Sequence, residues 1–209
     1  MNNAAQGCEA SRAESDDECE LKWLHAIALG DRTAFERLYL RYHPPLTRFL
    51  IHSAGRPDLV DDVINETLWA VWRGAVHFRG DSKPRTWIVS IAYRTLMKHL
   101  RDRSRGSMLG TRDVAEAEHP ANLIDVESGP DMAEQREWLS HGLSLLPDEQ
   151  RMTLELAYLL GQSCEEIAEI MDCAIGTVKA RMFRARVRLR NTLPGLAGEN
   201  GPETEAEQA

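Results

Sequence analysis

Long apolar runs are missing from this sequence. No stretch of about 18 apolar residues occurs, which excludes a membrane-spanning helix. The first 20 residues lack an apolar segment and carry six acids, so they do not read as a secretory signal. Cysteine is scarce: Cys8, Cys19, Cys164 and Cys173 are too few and too scattered for a disulfide scaffold. They form no C-x-x-C pair, and the 7 dispersed histidines add no zinc-ligand spacing. A phosphate-binding glycine loop and a nucleophile elbow are equally absent. Strand signals are nearly so, since no turn dipeptide lies between alternating apolar runs. The expectation is a cytoplasmic, all-α chain with no catalytic residue, no cofactor and no metal.

Positive charge is also short, with 25 Lys and Arg against 33 Asp and Glu and a net charge of −8. Locally the balance reverses. Residues 72–105 carry +7 and 174–191 carry +6, whereas 1–20 carry −5, 106–136 carry −5 and 137–173 carry −7. An acidic chain with two compact basic blocks has concentrated its polyanion contacts in them. For either block taken alone, a solvated helix face is the competing reading.

Turn and breaker residues divide the chain into a disordered acidic tail (1–20), a helix-rich block (21–105), a flexible acidic linker (106–136), a second helix-rich block (137–193) and a final acidic tail (194–209). In the first block Asp31 is a helix N-cap ahead of Phe35, Leu38, Tyr39 and Tyr42. Pro44 and Pro45 are expected to interrupt or kink that helix. Pro57 opens the next, with Leu59, Val60, Val63, Ile64, Leu68, Val71 and Trp72 on its apolar side. A third helix from about Pro84 buries Ile88, Ile91, Ala92, Thr95 and Leu96 and shows Arg94, Lys98, Arg101 and Arg105 as one basic stripe. Trp87 fits either core packing or nucleic-acid contact.

The second block is sharper. Ser163 and Glu166 make a capping-box pattern before Ile167, Ala168, Ile170 and Met171. A short turn leads to a helix in which Ile175, Val178, Met182, Ala185 and Leu189 form one core stripe. Its other faces hold Lys179, Arg181, Arg184, Arg186, Arg188 and Arg190 and no acid. A short helix, a tight turn and a basic amphipathic helix are the helix-turn-helix arrangement. Phe183 lies off the core stripe, an apolar surface suited to thymine methyls.

These residues carry a resemblance. Glu166-Ile167-Ala168-Glu169-Ile170-Met171, then Gly176-Thr177-Val178-Lys179-Ala180-Arg181 and Arg184-Ala185-Arg186, resemble region 4 of sigma-70-type sigma factors. Asp62-Val63-Ile64-Asn65-Glu66-Thr67 resembles their region 2.2. His77-Phe78-Arg79-Gly80-Asp81-Ser82, Thr86-Trp87-Ile88 and Ile91-Ala92 resemble regions 2.3 and 2.4 of the extracytoplasmic-function subgroup. The resemblance implies two small helical domains, region 2 and region 4, joined by the linker.

It also implies roles. Lys179, Ala180, Arg181, Phe183, Arg184 and Arg186 are expected at the −35 element. Phe78, Arg79, Gly80, Asp81, Ser82 and Lys83 are expected to form the pocket for a flipped −10 base. Trp87, Arg94, Lys98 and Arg101 would face the −10 strand. Asp62, Asn65, Glu66 and Trp72 are expected to dock on the clamp helices of the RNA polymerase largest subunit, with region 4 on the flap of the second-largest. Asp61, Asp62 and Glu66 are thus read as a docking or solvated face, since no further ligand joins them for catalysis or metal binding. Of Trp69 and Trp72, one is expected to be an exposed anchor. Pro84, Arg85 and Arg94 depart from the common pattern, so the −10 sequence preference does not transfer. Core RNA polymerase, promoter DNA and an anti-sigma factor are the expected partners, in a stress or envelope response and without membrane insertion. The rival reading is a stand-alone dimeric helix-turn-helix regulator.

Overall fold

A computed structural model describes residues 3–54, 57–107 and 139–200 of the chain. Among them the secondary structure is helical throughout: α1 (Asn3–Ala28), α2 (Arg32–Ala54), α3 (Val60–Gly74), α4 (Pro84–Ser107), α5 (139–144), α6 (Asp148–Tyr158), α7 (Cys164–Ile170) and α8 (Ile175–Asn200). Short 3₁₀ turns precede and follow α3 at Pro57–Leu59 and Ala75–His77.

Local chemistry explains the helix starts. Asp31 caps α2 as expected, its Oδ1 accepting from the backbone N–H of Thr33 at 2.8 Å and of Ala34 at 3.2 Å. Pro44 and Pro45 do not interrupt α2, which passes through both. They remove the backbone donors that would reach the Leu40 and Arg41 carbonyls, and buried Leu46, Phe49 and Leu50 hold the second half of the helix. Each such fully buried side chain contributes roughly 1.5–3 kcal/mol relative to exposure.

The N-terminal segment differs from expectation. Residues 16–20 are not a loose tail but part of α1, and Glu20 is buried. The cause lies on α2: Arg41 Nε donates to Glu20 at 2.6 Å, the Tyr42 hydroxyl donates to it at 2.5 Å, and Arg41 also pairs with Asp16 at 2.8 Å. Burial, then the adjacent Glu20 carboxylate, pushes the Tyr42 phenol well above its ordinary pKa. The proposed linker lies outside the described residues except at its first two positions, which end α4. Helix α8 runs past the expected boundary at 193 to Asn200.

Helices α1–α4 enclose a core built on Leu24, Ile27, Leu38, Phe49, Ile64, Leu68, Ile88 and Leu96. This core continues without a break into Met152, Leu156, Leu160, Ile167 and Val178 of the second half. The two halves therefore lie against each other, α2 on α6 and α4 on α7. Polar pairs cross the seam: the Ser53 hydroxyl donates to Glu155, the Thr86 hydroxyl to Gln162 at 3.4 Å, and Lys83 pairs with Glu166 at 3.0 Å.

Candidate nucleic-acid and polymerase interface

The loop between α3 and α4 is set by its two ends. Gly74 ends α3 against the Trp87 ring; a Cβ there would stand 3.2 Å from Trp87 Cζ2. Phe78 packs on the same ring with centroids 5.1 Å apart. Trp87 is thus half-buried between helix and loop, and supports the loop from beneath. Gly80 turns the chain at φ +78°, a conformation that favours glycine. Arg79, Gly80 and Asp81 are left exposed, with Ser82 half-buried beside them.

An open cleft of about 520 Å³ lies against this loop, with Asp17 and Glu18 of α1 and Glu166 and Glu169 of α7 on its far side. Lys83 is spoken for: Glu166 takes its charge and raises its pKa. Burial works against the Glu166 carboxylate, but the Ser163 backbone N–H and Lys83 outweigh it and hold its pKa below the ordinary value.

Along α4, Arg94 folds back onto Ser90, donating to its carbonyl at 3.0 Å and its hydroxyl at 2.7 Å. Arg101 donates to the Met97 carbonyl at 3.2 Å. Lys98 and His99 both reach Glu66 of α3, at 2.7 and 2.8 Å, and their hydrogen bonds lower the Glu66 pKa. Glu66, expected to face polymerase, is therefore shared with a residue expected to face DNA. Asp62 and Asn65 are exposed on the same helix. Of the two tryptophans the exposed one is Trp69, at 59 %. Trp72 packs edge-on against Phe35 with centroids 5.2 Å apart and is half-buried.

The expected capping box of α7 is complete: Glu166 N–H donates to Ser163 Oγ at 3.2 Å, and Ser163 N–H to Glu166 Oε2 at 2.7 Å. Asp172 makes the following turn at φ +50°, a conformation that aspartate tolerates. On α8, Lys179, Phe183 and Arg184 point to solvent, and Phe183 is 68 % exposed. Ala180 is half-buried between them.

Two arginines turn towards α6. Arg181 donates to Glu149 at 2.6 Å and to the Cys173 sulfur at 3.5 Å. Arg186 donates to the Tyr158 hydroxyl at 2.9 Å. Glu149 and Tyr158 escaped the sequence reading because nothing local marks them. Glu155 did leave a signal, an acid inside the apolar run Met152–Leu160. Cys164 and Cys173 are free thiols with different neighbours, Met182 Sδ at 3.8 Å for the first and Arg181 for the second. Among the described residues no cluster of His, Cys, Asp and Glu is placed to hold a metal ion, and no helix is long and apolar enough to cross a membrane.

Residues 38–106 match sigma-70 region 2, and residues 136–189 match sigma-70 region 4. The chain is 34 % identical over 182 residues to the ECF RNA polymerase sigma-E factor of Escherichia coli, covering 81 % of this chain and 92 % of that protein. It is 31 % identical over 189 residues to the RNA polymerase sigma-H factor of Pseudomonas aeruginosa, covering 87 % and 97 %. Among solved structures it is similar to CnrH in complex with the cytosolic domain of CnrY, with TM-score 0.62, 22 % identity and coverage of 85 % and 98 %. It is also similar to the sigma factor RpoE in complex with the anti-sigma factor NepR from Bartonella quintana, with TM-score 0.60, 28 % identity and coverage of 77 % and 96 %.

Matches to sigma-70 regions 2 and 4, on a four-helix half followed by a helix-turn-helix half, make this a transcription initiation factor of the sigma class, which works with core RNA polymerase on promoter DNA. The chain belongs to the sigma-70 family, in its extracytoplasmic-function group.

Proposed function

We propose that the two basic surfaces divide promoter recognition between them. In this reading Lys179, Phe183 and Arg184 of α8 read the −35 duplex, with Ala180 allowing close approach. The loop Phe78–Lys83 captures a flipped −10 base, and Arg94, Lys98 and Arg101 follow the unpaired strand. Asp62, Asn65, Glu66 and Trp69 of α3 dock on the polymerase clamp, with Trp72 bracing α3 from behind, and region 4 meets the flap. The factor supplies no bond-making chemistry of its own and acts in the cytoplasm. The observation that carries the reading is the exposed, acid-free face of α8, directed away from the core stripe Val178–Met182–Ala185.

Control by an anti-sigma factor belongs to the same reading. Both solved relatives were captured with a partner chain, and here the base-capture loop is already paired across the seam through Lys83. Run-off transcription with purified core polymerase on a randomised promoter library tests the function. Transcripts that depend on this chain and share −35 and −10 sequences are expected. Tight, sequence-specific binding by the free protein as a dimer, with no transcripts, would overturn it.

A further inference from the structure

Residues along an α-helix advance by about 100° each, which sorts the arginines of α8 by direction. Val178, Met182, Ala185 and Leu189 face the core, and Ala180 and Arg184 lie opposite them. Arg181 and Arg186 occupy the two flanks. Helix α6 holds both, with different chemistry on each side. Arg181 gives its charge to the Glu149 carboxylate at 2.6 Å, and only 16 % of its side chain is exposed. That flank is electrically quiet.

Arg186 is exposed and is held by a neutral group. Its Nη2 donates to Tyr158 Oη at 2.9 Å, and its guanidinium carbon lies 5.9 Å from the centre of the Tyr158 ring. Full positive charge therefore remains on that flank. Tyr158 itself is 68 % exposed, so core packing does not account for it. A phenol oxygen that accepts a hydrogen bond keeps its own proton to donate, and a charged donor polarises that O–H further. The natural acceptor is an anionic oxygen.

We infer that Tyr158 is a positioning residue for −35 recognition: it fixes Arg186 on one flank of α8, and the pair together grips the phosphate backbone beside the groove. This rests on α8 being the −35 reader. It also makes the grip one-sided, with phosphate contact on the Arg186 flank and none from Arg181.

The test uses holoenzyme assembled from core polymerase and full-length chain, with a fluorescent promoter duplex recovered from the run-off library and closed-complex affinity measured across a salt series. Tyr158→Phe is expected to weaken binding about 10–100-fold, the effect of losing one hydrogen bond to a charged group. The slope of log K against log salt should stay unchanged, because a neutral donor releases no counterion. Arg186→Ala should lower that slope by about 0.9. Adding Tyr158→Phe to Arg186→Ala should cost less than about twofold more, since the two act as one unit. Thermal melting of the free variants should match the parent. Wild-type affinity for Tyr158→Phe, or fully multiplicative losses in the double variant, would overturn the inference. Arg184→Ala separates the two levels: if it alone loses −35 binding, α8 reads DNA without Tyr158, and if it too is silent, the reading of α8 itself fails.

Discussion

Lys83 Nζ and Glu166 Oε1 stand 3.0 Å apart and join the loop between α3 and α4 to the first helix of the helix-turn-helix. Glu166 holds Lys83 with one oxygen and caps α7 with the other. The two halves of this factor are thus in direct contact, and the contact engages a residue proposed to help capture the −10 base.

The seam should respond to pH through Glu155. Burial pushes its carboxyl up to about 7 from the ordinary 4.5, against the pull of the Ser53 hydroxyl and Arg151. A carboxyl raised in the packed state disfavours that state as pH climbs from about 4.5, and the penalty is complete above about 7. Glu155→Gln, neutral at every pH, is expected to match the parent at pH 4 and to be more stable by about 1–3 kcal/mol at pH 8. Denaturant titrations of both proteins at the two pH values measure this. Equal stabilities at pH 8 would remove Glu155 as the source.

Trp69 and Trp72 should fail in different assays. Trp69→Ala is expected to weaken core-polymerase binding by about 2 kcal/mol or more while melting normally. Trp72→Ala removes the Phe35 contact and should lower stability by about 2–4 kcal/mol. Competition binding to core polymerase and thermal melting separate them. A stable, binding-competent Trp69→Ala would take the anchor away from α3.

Promoter recognition and melting should also come apart. Arg184→Ala is expected to cost about 1–3 kcal/mol in −35 recognition, and the defect should vanish on templates whose −10 bubble is pre-opened. Arg79→Ala and Asp81→Ala should form the closed complex yet lose permanganate reactivity of unpaired thymines near −10. The opposite pattern would refute the division of labour.

Glu20 should be among the costlier surface-distant losses. Its buried carboxylate satisfies Arg41 and Tyr42; Glu20→Ala strands the buried Tyr42 hydroxyl and leaves Arg41 only Asp16, and should destabilise the fold by roughly 1–3 kcal/mol. Circular-dichroism melts read this directly, and an unchanged midpoint would show that α1 is not anchored there.

What the sequence disclosed was local. The capping box of α7, the Asp31 cap, the core stripe of α8 and the basic stripe of α4 each follow from spacings of three and four residues. Hidden features depend on partners far along the chain. Glu20 is ordered because Arg41 and Tyr42 lie on the next helix, Pro44 and Pro45 are tolerated because later core residues hold α2, and Tyr158 matters because Arg186 crosses it. One exposed tryptophan on α3 was legible from the narrow apolar stripe, but Phe35 decides which one.

The contact between the halves sets a problem of reach. Elements at −35 and −10 lie about 25 base pairs apart, on the order of 85 Å along the duplex at 3.4 Å per step. In the proposed reading, a loop and a helix joined by Lys83 and Glu166 cannot span that distance, so the seam parts before both elements are engaged. The 31 residues between Ser107 and Leu139 permit it, since a chain of that length extends to about 100 Å. Parting returns Ser53, Glu155, Thr86 and Gln162 to water and uncovers part of the apolar core that runs across the seam, which costs free energy. In the proposed reading only the parted fraction can engage both elements, so the apparent affinity for a whole promoter is reduced by that fraction. The strength of the seam would thus set how readily the factor reads a whole promoter at once.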